Sequence, residues 1–469
     1  MPRYRQLYWA LRRAIADGVL APGQVLPSTR QLSQTIGVSR TTVLEAYNQL
    51  IAEGYIEGRQ GSGTYVASGL VLPEPGKLTS AYSDSWSTAN SSKPPLNART
   101  NRPRMIRPFA PDIPDIYSFP MTIWTRLTSK TLKNMPARLL DYPDPQGYRP
   151  LREAIADHLL STRGARISPD RILITHGTRH SLNLLLPLLA RPGQTIWVED
   201  PGYRGILDAA NLAQLKVAGI AVGVHGLQWP NFISSSSSPA AVYVTPSHQY
   251  PLGVTMSAPH RQALVQWAQE SKVWILEDDY DSEYRYRGYP LGSLHSIDTQ
   301  ERVIYLGTFS KVLAPMLRIG YAVLPQTLIG PAVELRKTWD HGQSVMEQIV
   351  LAQFLIEGHY ARHLRRMRSI YHARQETLLK AASRWWGDAI QMTSSDTGLH
   401  LIAWLPADIN DSAIASQLQD LGIEASPLSQ HRVTHPINPG LILGYAAYQS
   451  EDIEKAVRQA APVLSNMKR

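Results

Sequence analysis

GTFSKVLAPMLRIG, residues 307–320, closes an apolar run, VIYLGTF (303–309), with Ser310, Lys311 and, seven residues on, Arg318. The run is short, continuous and rich in β-branched and aromatic residues, the pattern of a strand buried on both faces. A lysine just past such a strand sits where open parallel sheets bind ligands, beyond the carboxyl ends. A buried lysine with a lowered pKa condenses readily with an aldehyde to form an imine. The Ser310 hydroxyl and the Arg318 guanidinium suit a phosphate, so the stretch reads as a site for a phosphorylated aldehyde.

Four further runs share this form: RILITHG (171–177), TIWVED (195–200), AAVYVTP (240–246) and VWILEDDY (273–280). Each ends in polar or small residues, and the stretches between are long enough for crossover helices. The expected architecture of this part is α/β with a mostly parallel sheet. In EDDYD, Asp278 and Tyr280 stand two apart and so share a face at a strand end, with Glu277 and Asp279 on the other. A carboxylate there can hold a pyridinium N–H and a phenol can bond the ring's O3′, which makes the aldehyde pyridoxal phosphate. A strand ending one residue earlier would put Asp279 in that role. Gly177, Thr178 and Arg179 open a helix and form a phosphate cup. Tyr203, in EDPGY, is placed to stack on or border the ring.

The chain of 469 residues is too long for one ordinary domain. With 43% apolar and 18% charged residues it has an ordinary globular balance, and it contains no cysteine, which excludes disulfides, thiolate nucleophiles and Cys-ligated zinc. No metal site is expected. No apolar run is long enough to span a membrane and no secretory signal opens the chain, a pattern compatible with the cytoplasm. The net charge of +9 is concentrated at the front: residues 1–68 carry +3 and residues 69–106 another +3. A basic front end is the electrostatic footprint of nucleic-acid contact.

Residues 1–68 read as three helices and a two-stranded wing. The first helix lies within RQLYWALRRAIADGVL (5–20), with a stripe at 7, 8, 11, 14 and 15. The second is STRQLSQTIG (28–37), and Ser39 caps the third, with Val43, Leu44, Tyr47, Leu50 and Ile51 as its expected buried stripe. Arg40, Thr41 and Thr42 then occupy an exposed first turn, suited to phosphate oxygens and guanine edges. Residues 69–106, rich in Ser, Pro, Thr and Asn, read as a linker. Residues 107–469 form the α/β part.

The motifs LPSTRQLS, GVSRTTV, LIAEGYIEG and GSGTYV make residues 1–68 resemble the winged helix-turn-helix head of GntR-type bacterial regulators. The resemblance implies Arg30, Ser39, Arg40, Thr41, Thr42 and Gly61 as contacts to double-stranded promoter DNA. Residues 107–469 resemble the fold-type I aminotransferases. With YPDPQGYRPLREAIADHL, EDPGY, TPSHQYPLGV, EDDYDSEYRY, GTFSKVLAPMLRIGY and RHLRRMRSIYHAR, the whole chain resembles the MocR subgroup of GntR regulators. That resemblance implies pyridoxal 5′-phosphate bound as an imine on Lys311, with Asp278 on the pyridine nitrogen and Tyr280 on O3′. It implies Thr178, Ser310 and Arg318 at the phosphate. Tyr142 matches a tyrosine that reaches the neighbouring subunit's phosphate, which implies a head-to-tail homodimer. Where aminotransferases carry an Asn on O3′ this chain has SHQYPLG, so His248 or Tyr250 takes the place. Where they clamp the substrate carboxylate with a late Arg it has GLILGYAAY (440–448), leaving Arg204 and Arg432 as candidates for an effector.

Three functions are compatible with this reading. One is a transcription regulator that senses pyridoxal phosphate, or an amine or amino-acid effector, at Lys311. The second is an active aminotransferase with a fused DNA-binding head, and the third a dimerisation scaffold without cofactor. The missing carboxylate Arg counts against the second and the intact Lys311, Asp278, Tyr280 and Arg318 set against the third.

Overall fold

The computed structural model describes residues 2–59, 63–68, 107–229, 238–288, 292–388 and 390–465. The chain divides into two compact units, residues 1–103 and 104–469. The linker reading of residues 69–106 lies outside the described residues, as do Gly61 and the tip of the expected wing.

In the first unit α1 (Arg3–Ala16), α2 (Thr29–Ile36) and α3 (Arg40–Ala52) pack beside a small antiparallel sheet. Its strands are β1 (Val25–Leu26), β2 (Ile56–Arg59) and β3 (Gly63–Val66), in the order β1-β3-β2. Sequence chemistry sets the helix ends. Ser28 and Gln31 form a reciprocal capping box at the start of α2, and Gly37 ends it in the left-handed region, φ 66°. Ser39 then accepts the Thr42 N–H at 3.2 Å and starts α3. Val43, Ala46, Tyr47 and Leu50 are the buried face of α3. The expected stripe was therefore off by one rung: Leu44 and Ile51 are 46% and 44% exposed, and Ala46 takes the inward position. A helix turns 100° per residue, so positions i, i+3, i+4 and i+7 share a face and larger apolar neighbours one step away do not.

The second unit is built on an eight-stranded sheet. Its strands are β4 (Ile172–Thr175), β5 (Thr195–Asp200), β6 (Lys216–Gly223), β7 (Gly226–Leu227), β8 (Ala241–Val244), β9 (Trp274–Asp279), β10 (Val303–Thr308) and β11 (Gly320–Val323). The order is β4-β11-β10-β9-β8-β5-β6-β7. Neighbours from β10 through β6 run parallel, whereas β11 is antiparallel to both β10 and β4, and β7 to β6. Between β10 and β11 stands one short 3₁₀ turn, Pro315–Leu317, and no crossover helix, so the chain comes straight back beside the strand it left. Strand alternation sends Leu276 to one apolar layer and Ile275 to the other. Helices α4 (Thr178–Leu189) and α5 (Arg204–Leu212) follow β4 and β5 and contribute buried leucine, isoleucine and alanine to the first layer; Ala258–Glu270 contributes to the second. A smaller antiparallel sheet, β12 (His400–Trp404), β13 (Ser426–Pro427) and β14 (Gly440–Gly444), packs with the 28-residue helix His359–Trp386.

Candidate functional site

The carboxyl ends of β4, β8, β9 and β10 open on one cavity of about 180 Å³. Ten residues read from the sequence line it: Gly177, Thr178, Arg179, Tyr203, Tyr250, Asp278, Tyr280, Ser310, Lys311 and Arg318. At its centre the Lys311 Nζ donates to the Asp112 carbonyl at 3.0 Å and lies 3.9 Å from that residue's carboxylate. Burial alone would raise the Asp112 carboxyl. Lys311, His400 and the Tyr250 hydroxyl, which donates to it at 2.9 Å, outweigh burial and hold it below the usual carboxylate range.

On one side of Lys311 stands Asp278. Tyr243 donates to its Oδ2 at 2.6 Å and the Thr178 hydroxyl to its Oδ1 at 3.4 Å. These bonds favour the charged form, yet burial dominates and pushes the carboxyl up to about 7. It has no ion-pair partner among the described residues. Asp279 points the other way. Its carboxylate is buried, accepts from Arg163 Nε at 2.8 Å and Tyr305 at 2.5 Å, and is held below the usual range because Arg163 outweighs the cost of burial. The strand runs long enough that the fallback role for Asp279 is excluded by its orientation.

Next to Asp278, α4 starts after Gly177, which stands at φ 100° and, having no side chain, leaves the helix without a side-chain cap. That turn accommodates a close backbone approach: a Cβ on Gly320 would come within 2.6 Å of Gly177 Cα. The Ser310 hydroxyl is buried without a protein partner. Arg318 sits in the left-handed region, φ 48°, with its carbonyl held by Gln343 Nε2 at 2.8 Å, and its guanidinium has no ion-pair partner among the described residues. Uncapped N–H groups, a free hydroxyl and a free guanidinium on one wall make an anion subsite. Arg179 lines the same wall but ion-pairs with Asp208.

Several expected residues lie elsewhere. His248 is not in this cavity: its ring is buried behind Tyr280, with Nδ1 2.9 Å from Asp281 and 3.0 Å from the Tyr280 hydroxyl. Of the two candidates in SHQYPLG it is Tyr250 that lines the cavity, because the chain turns between them. Tyr142 is 84% exposed, its ring 5.7 Å from that of His341. Arg204 donates to the Gln430 carbonyl at 2.7 Å, and Arg432 is exposed. Sequence reasoning missed Asp112, Tyr243, Thr245 and Thr308. Tyr243 and Thr245 stand two apart in AVYVT, the same spacing signal used for Asp278, and were findable; Asp112, in an irregular segment at φ 64°, carried no signal.

In the first unit Arg30, Ser39, Arg40 and Thr41 are exposed, while Thr42 is half-buried with its hydroxyl 2.8 Å from that of Ser39. Arg30 and Arg40 carry no ion pair among the described residues, which leaves both guanidinium groups available.

Residues 3–66 match the family of bacterial regulatory proteins called gntR, and residues 120–459 match aminotransferase class I and II. The chain is 35% identical over 460 residues to the probable rhizopine catabolism regulatory protein MocR of Rhizobium meliloti, covering 97% of this chain and 92% of that one. It is 31% identical to the HTH-type pyridoxine biosynthesis transcriptional regulator PdxR of Corynebacterium glutamicum, covering 98% and 95%. Among solved structures, the second unit is similar to a kynurenine aminotransferase of Pyrococcus horikoshii in complex with PMP, at a TM-score of 0.71 and 26% identity, over 76% of this chain and 90% of that one. Similar values, a TM-score of 0.71 and 26% identity over 76% and 92%, relate it to LysN, the α-aminoadipate aminotransferase of Thermus thermophilus complexed with N-(5′-phosphopyridoxyl)-L-leucine. A helix-turn-helix head of the gntR type joined to an aminotransferase-like fold, in an arrangement shared end to end with these regulators, shows that the chain belongs to the MocR subgroup of GntR-family transcriptional regulators.

Proposed function

We propose that this chain is a pyridoxal-phosphate-dependent transcription regulator: its head binds promoter DNA and its second unit senses the cofactor, or an amine or amino-acid effector, at Lys311. The observation that carries this reading is the grouping of a lysine amine, a buried carboxyl with no ion-pair partner among the described residues, and an anion-binding set of donors around one cavity. These residues fit pyridoxal phosphate. The Ser310 hydroxyl, the Arg318 guanidinium and the N–H groups opening α4 would hold the phosphate. Asp278 would hold the ring N–H, which relieves the burial cost that now raises its carboxyl. Tyr203 and Tyr280 would border the ring. When bound, the cofactor supplies an electrophilic aldehyde and a ring that withdraws electrons. Lys311 contributes the amine for that aldehyde, and Asp112 orients the amine through its carbonyl.

The proposal includes a head-to-tail homodimer in which the exposed Tyr142 serves the partner's phosphate subsite, and a cytoplasmic place of action, where bacterial DNA is. Arg204 and Arg432 remain candidates for an effector carboxylate. Purified protein is expected to be yellow, and borohydride should fix the cofactor to Lys311. Lys311→Ala should lose the covalent link while retaining phosphate-anchored cofactor. A colourless protein that stays colourless after pyridoxal phosphate is added refutes the reading.

The aminotransferase alternative draws support from the 26% identity to solved aminotransferases. Against it, β14 and the residues after it, GLILGYAAY, hold no arginine for a substrate carboxylate. An amine effector that changes the visible spectrum and the DNA footprint together, without turnover, supports regulation. Keto acid formed at about 1 s⁻¹ or faster would favour the enzyme.

A further inference from the structure

We propose that the second unit carries a second small-molecule site, beside His248, that takes a small organic cation bearing a hydroxyl group. A separate cavity of about 270 Å³ lies there, lined by His248, Gly253, Thr255, Ser394, Asp396 and Trp404 among others.

His248 is the group that points to a ligand. Its side chain is 1% exposed, and its Nε2 has no protein partner. The ring cannot swing away to find one. Nδ1 is engaged with Asp281 at 2.9 Å and with Tyr280 at 3.0 Å, and on another side the Cε1 end of the ring abuts Gly398 so closely that a Cβ there would overlap it. Nε2 faces Gly253, where a Cβ would stand 3.3 Å away. Asp281 accepts from Nδ1, which leaves Nε2 as the ring nitrogen open to a ligand. A buried polar atom left without a partner is costly. A hydroxyl on the occupant, which both donates and accepts, removes that cost.

The surroundings select a cation. Asp396 stands at the rim and Asp281 behind the imidazole. His400, the other titratable group on this wall, is held below the usual imidazole range chiefly by burial, and its Nε2 donates to the Pro251 carbonyl at 3.0 Å. Trp404, Leu252 and Ile402 supply an apolar side for the carbon skeleton. The same imidazole reaches the Tyr280 hydroxyl, which lines the Lys311 cavity. A ligand bound at Nε2 changes the bond that Nδ1 makes to Tyr280, so occupancy of the second site is felt in the first.

Equilibrium dialysis of the full-length protein against radiolabelled choline tests the site. Choline has a hydroxyl donor and a positive charge, and its quaternary nitrogen cannot condense with an aldehyde. The expected result is saturable binding of one choline per chain in the low millimolar range, lost in Ser394→Trp, which blocks the cavity, and in His248→Phe. Ser394→Trp should leave uptake of pyridoxal phosphate and DNA binding as in the parent. In protein that takes up pyridoxal phosphate, choline should also shift the visible band. Binding that fails to saturate, binding that survives both substitutions, or equal binding of acetate overturns the proposal. Dialysis does not need the cofactor, so a chain that binds choline but never turns yellow would refute the function proposed above and leave this site standing.

Discussion

Tyr243→Phe removes one hydroxyl and leaves a ring of the same shape between Tyr203 and Asp278. The lost bond is the 2.6 Å contact from the phenol to Asp278 Oδ2. A hydrogen bond to a charged group is worth ~1.5–3 kcal/mol, which at ~1.4 kcal/mol per pH unit raises the Asp278 carboxyl by a further one to two pH units. In the parent chain that group stands at about 7 and is half ionised at neutral pH. In the variant the ionised fraction at pH 7 falls to roughly one in ten to one in a hundred. A protonated Asp278 cannot hold a pyridinium N–H, so the cost of ionising it is charged against binding. Affinity for pyridoxal phosphate is expected to drop by about 5- to 50-fold at pH 7 and to recover most of that at about pH 9, where the carboxylate forms again. The assay is a spectroscopic titration of both proteins at the two pH values. The ratio of parent to variant cancels titrations common to both, including those of Lys311 and the cofactor. Equal affinity at pH 7, or a loss of the same size at pH 9, refutes the role given to Asp278.

Arg40→Ala should weaken binding to the promoter by ~1–3 kcal/mol, read by fluorescence anisotropy, with the cofactor spectrum unchanged. Unchanged DNA affinity would mean that the first turn of α3 does not meet the bases. Arg163→Ala leaves the Asp279 carboxylate, 2% exposed, buried without its ion-pair partner. It should cost ~3–5 kcal/mol in denaturant unfolding, and a loss below ~1 kcal/mol would show that water reaches the pair. Asp278 is raised from the ordinary carboxylate range to about 7 by burial, so folding favours its protonated form. That contribution to stability is complete below about pH 4 and is lost as pH rises through about 7. In cofactor-free protein, Asp278→Asn should therefore gain melting temperature relative to the parent as pH rises from about 5 to about 8; the comparison cancels the titrations both chains share, among them Glu199 and Glu277, raised to about 7 by burial, and His180, His295, His363 and His431, lowered to about 4 by burial. A difference between the two melting temperatures that stays constant over that range contradicts the burial argument.

The residues that a local pattern can encode were legible without a structure. Five continuous apolar runs announced β4, β5, β8, β9 and β10, and the polar residues closing them announced the cavity. Two-residue spacing separated Asp278 from Asp279, because a strand's alternation is a property of the backbone alone. Capping residues Ser28, Gly37 and Ser39 marked the helices of the head for the same reason: the bonds they make span three or four residues. What needed the tertiary structure involves residues far apart in sequence. The antiparallel course of β11 follows from the absence of a crossover helix after Lys311, and the pairing of Lys311 with Asp112 crosses 199 positions. The choice of Tyr250 over His248 was decided by packing, which sets the Tyr250 hydroxyl on Asp112 and the His248 ring on Asp281. Alternation and capping are set by neighbours along the chain, whereas the wall on which a buried side chain ends up is set by what packs behind it, and that is a property of the assembled fold.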